Sequence, residues 1–176
     1  KKLKIQNYTG ASGNANGGIY AIGGNNNLSV DEVTIQSNPG GSGFYANGPV
    51  DNVDITNSRV SGHGPGARGV VIWNGLKSNI NISNNWVSNN NCCGIELQDG
   101  DASGVTISGN YVDIGSGDNA LGLTGLNPSV GANLINNNTI IGGGRFGIEI
   151  KNPAGGVTVS NNSVSLTTIN GETRDR

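Results

Sequence analysis

The chain has 176 residues, ten Lys and Arg against twelve Asp and Glu, 31 Gly, two Cys and no Met. A formal charge of −2 without a basic stripe speaks against a nucleic-acid partner, and no apolar run approaches the ~20 residues of a membrane-inserted helix. Disordered chains usually carry high net charge, whereas few charges, 34% hydrophobic residues and abundant Gly suit a turn-rich β protein.

In chain order, short strands recur in two alternating phrases. The first phrase reads apolar, x, apolar, polar, small or Asn, Asn, x, apolar. Leu3 to Asn7 begins a loose copy, and Val33 to Asn38 fits the first six positions. Ile80 to Val87, Val105 to Val112 and Val157 to Val164 fit throughout, Val53 to Val60 fits with Ser58 in the place of the second Asn, and Asn133 to Ile140 fits except at its first position. The second phrase usually opens on Gly: Gly18 to Ala21, Gly43 to Ala46, Gly69 to Ile72, Gly94 to Leu97, Ala120 to Leu123 and Gly147 to Ile150.

The first phrases start at spacings of 30, 20, 27, 25, 28 and 24 residues. That period, with two or three short strands and no helical periodicity, indicates a β-solenoid. A leucine-rich repeat would need a denser Leu pattern, and a propeller blade ~40 residues. The expected fold is all-β, a right-handed parallel β-helix of about six to seven coils. Residues 1–176 read as a single β-helix domain, either mature or a segment of a longer chain.

Alignment of the copies places Asn38, Ser58, Asn85, Asn110, Asn138 and Asn162 in one column. The preceding column is Ser37, Asn57, Asn84, Gly109, Asn137 and Asn161. Asn is a poor strand former but tolerates left-handed backbone at a bend, and its amide both donates and accepts. A fixed register therefore predicts an internal Asn ladder along the axis.

The paired phrases "VTISGNYV" with "GIEL" and "VTVSNNSV" with "GIEI" resemble those of the right-handed parallel β-helix repeat proteins, the pectin-lyase-like superfamily. The resemblance covers nearly the whole chain. It implies the fold, but the superfamily spans polysaccharide lyases and hydrolases, epimerases, phage tailspikes and non-catalytic surface proteins, so function needs its own argument. The close Asp cluster of polygalacturonases and the acidic calcium cluster of pectate lyases have no counterpart that maps residue by residue.

Alternation across a strand decides which side chains face out. Beside the first phrases sit short polar residues, Thr34, Asp54, Asn81, Thr106 and Thr158 among them, which read as solvated surface. The second phrase carries the varied face. One outward column is Tyr20, Tyr45, Val71, Glu96, Gly122 and Glu149; the next is Ile22, Asn47, Trp73, Gln98, Thr124 and Lys151. Aromatic faces stack on sugar rings while amides and carboxylates bond hydroxyls, so Tyr20, Tyr45, Trp73, Gln98 and Arg145 are candidate binding residues. Ordinary β-sheet surface is the alternative.

Glu96 and Glu149 flank Gly122, about 9–10 Å apart at the backbone if coils stack at ~4.8 Å. Inverting glycosidases separate their carboxyls by ~6.5–9.5 Å. Glu96 and Glu149 are thus candidate catalytic carboxylates. Lys151 is a candidate lyase base, or with Arg145 a uronate ligand. No cofactor is expected, calcium on Asp99, Asp101 and Asp118 being the one candidate. His63 reads as a solvated loop residue. Cys92 and Cys93 are adjacent, as a vicinal disulfide or as two thiols.

Two functions follow as expectations. One is an extracellular carbohydrate-binding or polysaccharide-processing module, with a polysaccharide or surface glycan as partner. The other is a non-catalytic structural or surface-layer solenoid, whose uncapped sheet edges invite end-to-end self-association. The location expected for either is extracellular or the cell surface.

Overall fold

The computed structural model describes residues 2–7, 17–22, 24–37, 39–115, 117–123, 133–142, 144–151 and 156–166. All pairing between strands is parallel, in three sheets. One coil shows the repeat. Val50–Thr56 runs in sheet I, Arg59–Ser61 in sheet II and Arg68–Trp73 in sheet III, and the chain then rises into the next coil at Lys77–Ser83. Five complete coils are present, with an incomplete one before and after. Among the described residues the expected six to seven coils are therefore five complete ones, with two strands described in each of the coils before and after.

Each sheet turns its apolar positions inward. Val53, Ile55, Ile80, Ile82, Val105 and Ile107 come from sheet I; Ile35, Val60, Val87, Val112 and Ile140 from sheet II; Phe44, Val70, Ile72, Ile95, Leu97, Leu121 and Leu123 from sheet III. All are fully buried. Like stacks on like along the axis, so each coil hides surface that alone it would leave wet, at roughly 25 cal/mol per Å2. Val159 and Val164, inward by pattern, are 47% and 44% exposed, because no further coil covers them among the described residues.

The Asn ladder stands at the corner between sheets I and II. Asn85 Nδ2 donates to Asn110 Oδ1 at 3.0 Å, Asn110 Nδ2 to Asn138 Oδ1 at 3.0 Å, and Asn138 Nδ2 to Asn162 Oδ1 at 2.9 Å. The second proton of each amide goes to a sheet I carbonyl: Asn85 to Ile55 O, Asn110 to Ile82 O, Asn138 to Ile107 O. The residue before each rung bends left-handed, with φ of 51° at Asn57, 57° at Asn84, 65° at Gly109, 55° at Asn137 and 55° at Asn161. Asn and Gly are the residues that take this conformation at least cost.

The register corrects one alignment. Val33–Gln36 pairs with Arg59–Ser61 in sheet II, and Leu3–Gln6 stacks on it there. The sheet I strand of that coil is Asn25–Asp31, with Leu28 opposite Val53 and Val30 opposite Ile55. Val33, not Asn38, therefore holds the ladder position, and its N–H donates to Ser58 Oγ at 3.1 Å. Asn38 lies outside the described residues. Thr34 and Gln36 likewise belong to sheet II. Both corners of this coil share one pattern, apolar-x-apolar-polar followed by a left-handed residue: Leu28 to Glu32 (φ 52°) and Val33 to Ser37 (φ 55°). The pair Ser37-Asn38 imitates the Asn pair that the true corner lacks, which made a spacing of 20 out of an ordinary coil, Leu28 to Val53; the spacing of 30 is real, since Leu3 stands opposite Val33.

The Gly that opens most sheet III strands has a packing cause. A Cβ on Gly43, Gly69, Gly94 or Gly147 would lie 2.2–2.5 Å from a Cγ1 of Val60, Val87, Val112 or Val164 in the following coil. The strand and the valine column approach too closely for any side chain at that point.

Candidate functional site

The register of sheet III unites the expected outer column. Tyr20 stands opposite Tyr45, Tyr45 opposite Val71, Val71 opposite Glu96, Glu96 opposite Gly122, and Gly122 opposite Glu149. In the next column Ile22, Asn47, Trp73 and Gln98 follow rung by rung. Thr124 lies outside the described residues. Tyr20 stacks on Tyr45 with centroids 5.2 Å apart, and Tyr45 meets Trp73 edge-on at 6.5 Å. Tyr20 is exposed, Trp73 half-buried and Tyr45 only 2% exposed.

The centre of this face is organised by Arg68, a residue that the sequence reading passed over. Its Nε forms a buried ion pair with Glu96 Oε2, its Nη2 donates to Gln98 Oε1 at 3.2 Å, and its guanidinium sits 5.3 Å from the Trp73 ring centre. Burial works against the Arg68 charge, but the Glu96 hydrogen bond and attraction more than offset it and hold the guanidinium above its ordinary pKa. Glu96 faces out from the sheet yet is 4% exposed. Arg68 was detectable as the one long cation in the His63-to-Gly69 turn, directly before a strand whose outer row is otherwise aromatic and acidic.

One coil pair further on a neutral amide, Asn119, takes the place of Arg68, and a cation follows on the same strand as the carboxylate. Asn119 Nδ2 donates to Glu149 Oε2 at 2.6 Å, and Lys151 Nζ pairs with Glu149 Oε1 at 3.1 Å. Both candidate carboxylates are therefore engaged. The space that Gly122 leaves between the two carboxylates is narrowed by Glu96 itself, whose Cγ would lie 3.2 Å from a Cβ there. Arg145 is not brought to Glu149. It pairs with Asp118 at 3.0 Å and lies over the Phe146 ring at 4.6 Å.

The calcium candidates do not converge. Asp99 Oδ2 accepts from Trp73 Nε1 at 2.5 Å, and Asp118 is held by Arg145. Among the described residues no group of three or more His, Cys, Asp or Glu could hold a metal ion.

Three buried polar groups lie nearby. His63 is buried, not solvated, because the turn that carries it folds against Gly43. Cys92 and Cys93 are free thiols, Sγ to Sγ 2.7 Å. The Cys93 hydrogen bond lowers the Cys92 pKa, with Arg68 adding to it, and that same bond and burial raise Cys93. Lys77, 1% exposed, donates to the Gly75 carbonyl at 3.0 Å and the Asp99 carbonyl at 2.8 Å, and burial lowers its pKa to about 8 despite Asp99 and Asp101.

Sheet II carries a second outer row that the sequence reading missed. Arg59, Trp86 and Tyr111 stand opposite one another on successive coils. Trp86 stacks on Tyr111 at 4.1 Å and the Arg59 guanidinium lies 5.6 Å from the Trp86 ring centre. All three occupy the seventh position of the first phrase, so reading that column down the repeats would have found them.

The chain matches the family model described as "Right handed beta helix region" over residues 2–171. No curated protein and no solved structure matches it.

Proposed function

The chain belongs to the right-handed β-helix family, and from that architecture we propose that sheet III is the carbohydrate-binding face of an extracellular or cell-surface module. The observation that carries this reading is the continuous row Tyr20, Tyr45, Trp73, Arg68, Glu96 and Gln98. It sets aromatic surface beside a fixed cation, a carboxylate and an amide on consecutive coils. Sugars offer apolar C–H surface to the rings and hydroxyls to the polar groups.

Binding is favoured over turnover by the state of the two carboxylates. Glu96 is closed by Arg68, and Glu149 by Asn119 and Lys151. A general acid or base needs a proton position open to substrate. Here Glu96 orients Arg68, and Arg68 with Gln98 presents donors and an acceptor at the rim of the aromatic row.

The test is calorimetric titration with acidic and neutral polysaccharides, with parallel assay for new reducing ends and unsaturated products. Saturable binding weakened at least tenfold by Trp73→Ala or Tyr20→Ala, without turnover, supports the reading. Turnover lost in Glu96→Gln or Glu149→Gln replaces it with an enzyme. Absence of binding by any glycan favours the second reading, a structural solenoid joined end to end. Concentration-dependent sedimentation measures that association.

A further inference from the structure

The ladder has an outer consequence at the sheet I–sheet II corner. The ladder column turns inward, so the columns on either side of it stand up as two parallel walls. One wall is the left-handed column Glu32, Asn57 and Asn84. The other is the sheet II row Thr34, Arg59 and Trp86. Val33 and Ser58, the ladder positions themselves, form the floor, and Lys2 lines the same groove, whose volume is about 250 Å3. The amide wall ends one rung later, where Gly109 replaces Asn. The groove is thus bounded in length as well as in width.

We propose that this groove is a second binding site, separate from sheet III, for a single anionic sugar ring bearing a carboxylate or a sulfate. Its volume lies below the ~300–1,000 Å3 of sites for drug-sized ligands, which suits one ring. Lys2 and Arg59 have no acidic partner among the described residues, whereas Arg68, Arg145 and Lys151 each have one. Among the residues that line the groove two cations face the single carboxylate of Glu32, while Asp31, outside the lining, is held by Asn57 Nδ2 and Thr56 Oγ1, so the lining itself carries a positive balance that selects an anion. Arg59 is preorganised for this, since the Trp86 ring supports its guanidinium and Tyr111 supports the indole from the other side. Asn57, Asn84 and Glu32 line the groove; with Asn57 Nδ2 taken by Asp31 at 2.8 Å, Asn57 Oδ1, Glu32 and the Asn84 amide supply the acceptors and donors that ring hydroxyls require. Trp86, 45% exposed, offers its indole edge to the apolar side of the ring.

The two tryptophans allow the sites to be read separately, because the chain has only Trp73 and Trp86. In Trp73→Phe protein the indole emission reports on this groove alone; in Trp86→Phe protein it reports on sheet III alone. Each is titrated with an oligouronate, a sulfated oligosaccharide and a neutral oligosaccharide of equal length. The expected result is a saturable change of Trp86 emission with at least one acidic ligand and none with the neutral one. In the same background Arg59→Gln weakens that response at least tenfold, Lys2→Gln weakens it several-fold, and unfolding midpoints are unchanged. A response to the neutral ligand equal to the acidic ones, no response to any, or a response indifferent to Arg59→Gln overturns the site. Each of these outcomes stands whatever Trp73 reports for sheet III.

Discussion

Asn110 Oδ1 accepts two hydrogen bonds from Asn85, one from its backbone N–H and one from its side-chain Nδ2, each at 3.0 Å. The same double acceptance joins Asn110 to Asn138 and Asn138 to Asn162. At the lower end Ser58 N donates to Asn85 Oδ1 at 2.9 Å. The rung therefore satisfies the bent backbone of the coil before it as well as its own amide.

Truncation of a central rung orphans several buried groups at once. Asn110→Ala leaves Asn85 N, Asn85 Nδ2 and Ile82 O without their partner. At ~1–3 kcal/mol per buried unsatisfied group, the loss expected is about 3 kcal/mol or more. Asn162→Ala, at a half-buried end rung that water reaches, should cost about 1 kcal/mol. Urea unfolding of the two variants measures the gradient, and equal losses would refute the ladder's role.

The sheet III glycines yield a graded steric test. A Cβ on Gly94 would meet both Val112 Cγ1 at 2.4 Å and the Ala120 carbonyl at 2.6 Å. On Gly147 the near contact is Val164 Cγ1 at 2.5 Å, with nothing else inside 3.7 Å. Gly94→Ala should destabilise by about 2–3 kcal/mol, as overpacking against backbone does. Gly147→Ala should cost less, and adding Val164→Ala should restore most of it. The same second-site change at Val112 should rescue Gly94→Ala only in part, because the carbonyl remains. Thermal unfolding of the four variants tests the order.

Lys77 predicts a pH dependence of defined sign. Its pKa is about 8 folded against an ordinary 10.5. Between those values the unfolded chain binds a proton that the folded chain does not, so stability rises with pH across that window. The full difference is about 3 kcal/mol at ~1.4 kcal/mol per pKa unit. Tyr45, raised by burial, and Cys93, raised by the Cys92 hydrogen bond and by burial, oppose it toward the alkaline end. The wild-type curve minus that of Lys77→Gln cancels those groups. Urea unfolding at intervals from pH 7 to 10.5 should give a rising difference; a flat one would mean that Lys77 stays charged in the fold.

The repeat was legible in the sequence because the solenoid's chemistry is local and periodic. Paired apolar positions, a left-handed Asn or Gly and a ladder Asn recur within eight residues, and the outer column from Tyr20 to Glu149 followed from alternation alone. The Val33 coil was misread because one pattern serves two corners, and only pairing tells them apart. What escaped was the side-chain geometry of the site. The chain sets Arg68 twenty-eight residues from Glu96, and nothing in either segment signals that the two meet. Adjacent coils bring them together, and their union turns a candidate acid into a buried counter-ion. The burial of His63 was hidden for the same reason, since the Gly43 strand it packs on belongs to the preceding coil.

In the five later corners the ladder turn is two residues long. Asn57-Ser58, Asn84-Asn85, Gly109-Asn110, Asn137-Asn138 and Asn161-Asn162 each fill it, between strands ending at Thr56, Ser83, Ser108, Asn136 and Ser160 and those starting at Arg59, Trp86, Tyr111, Thr139 and Ser163. The passage from sheet III back to sheet I has no such limit. It is two residues between Asn47 and Val50 and three between Trp73 and Lys77, and it is longer between Leu123 and Asn133. Evolutionary insertion is thereby channelled. New loops can be grafted at the unruled corner, beside sheet III, while a single codon gained at the ruled one would push its own amide out of the column.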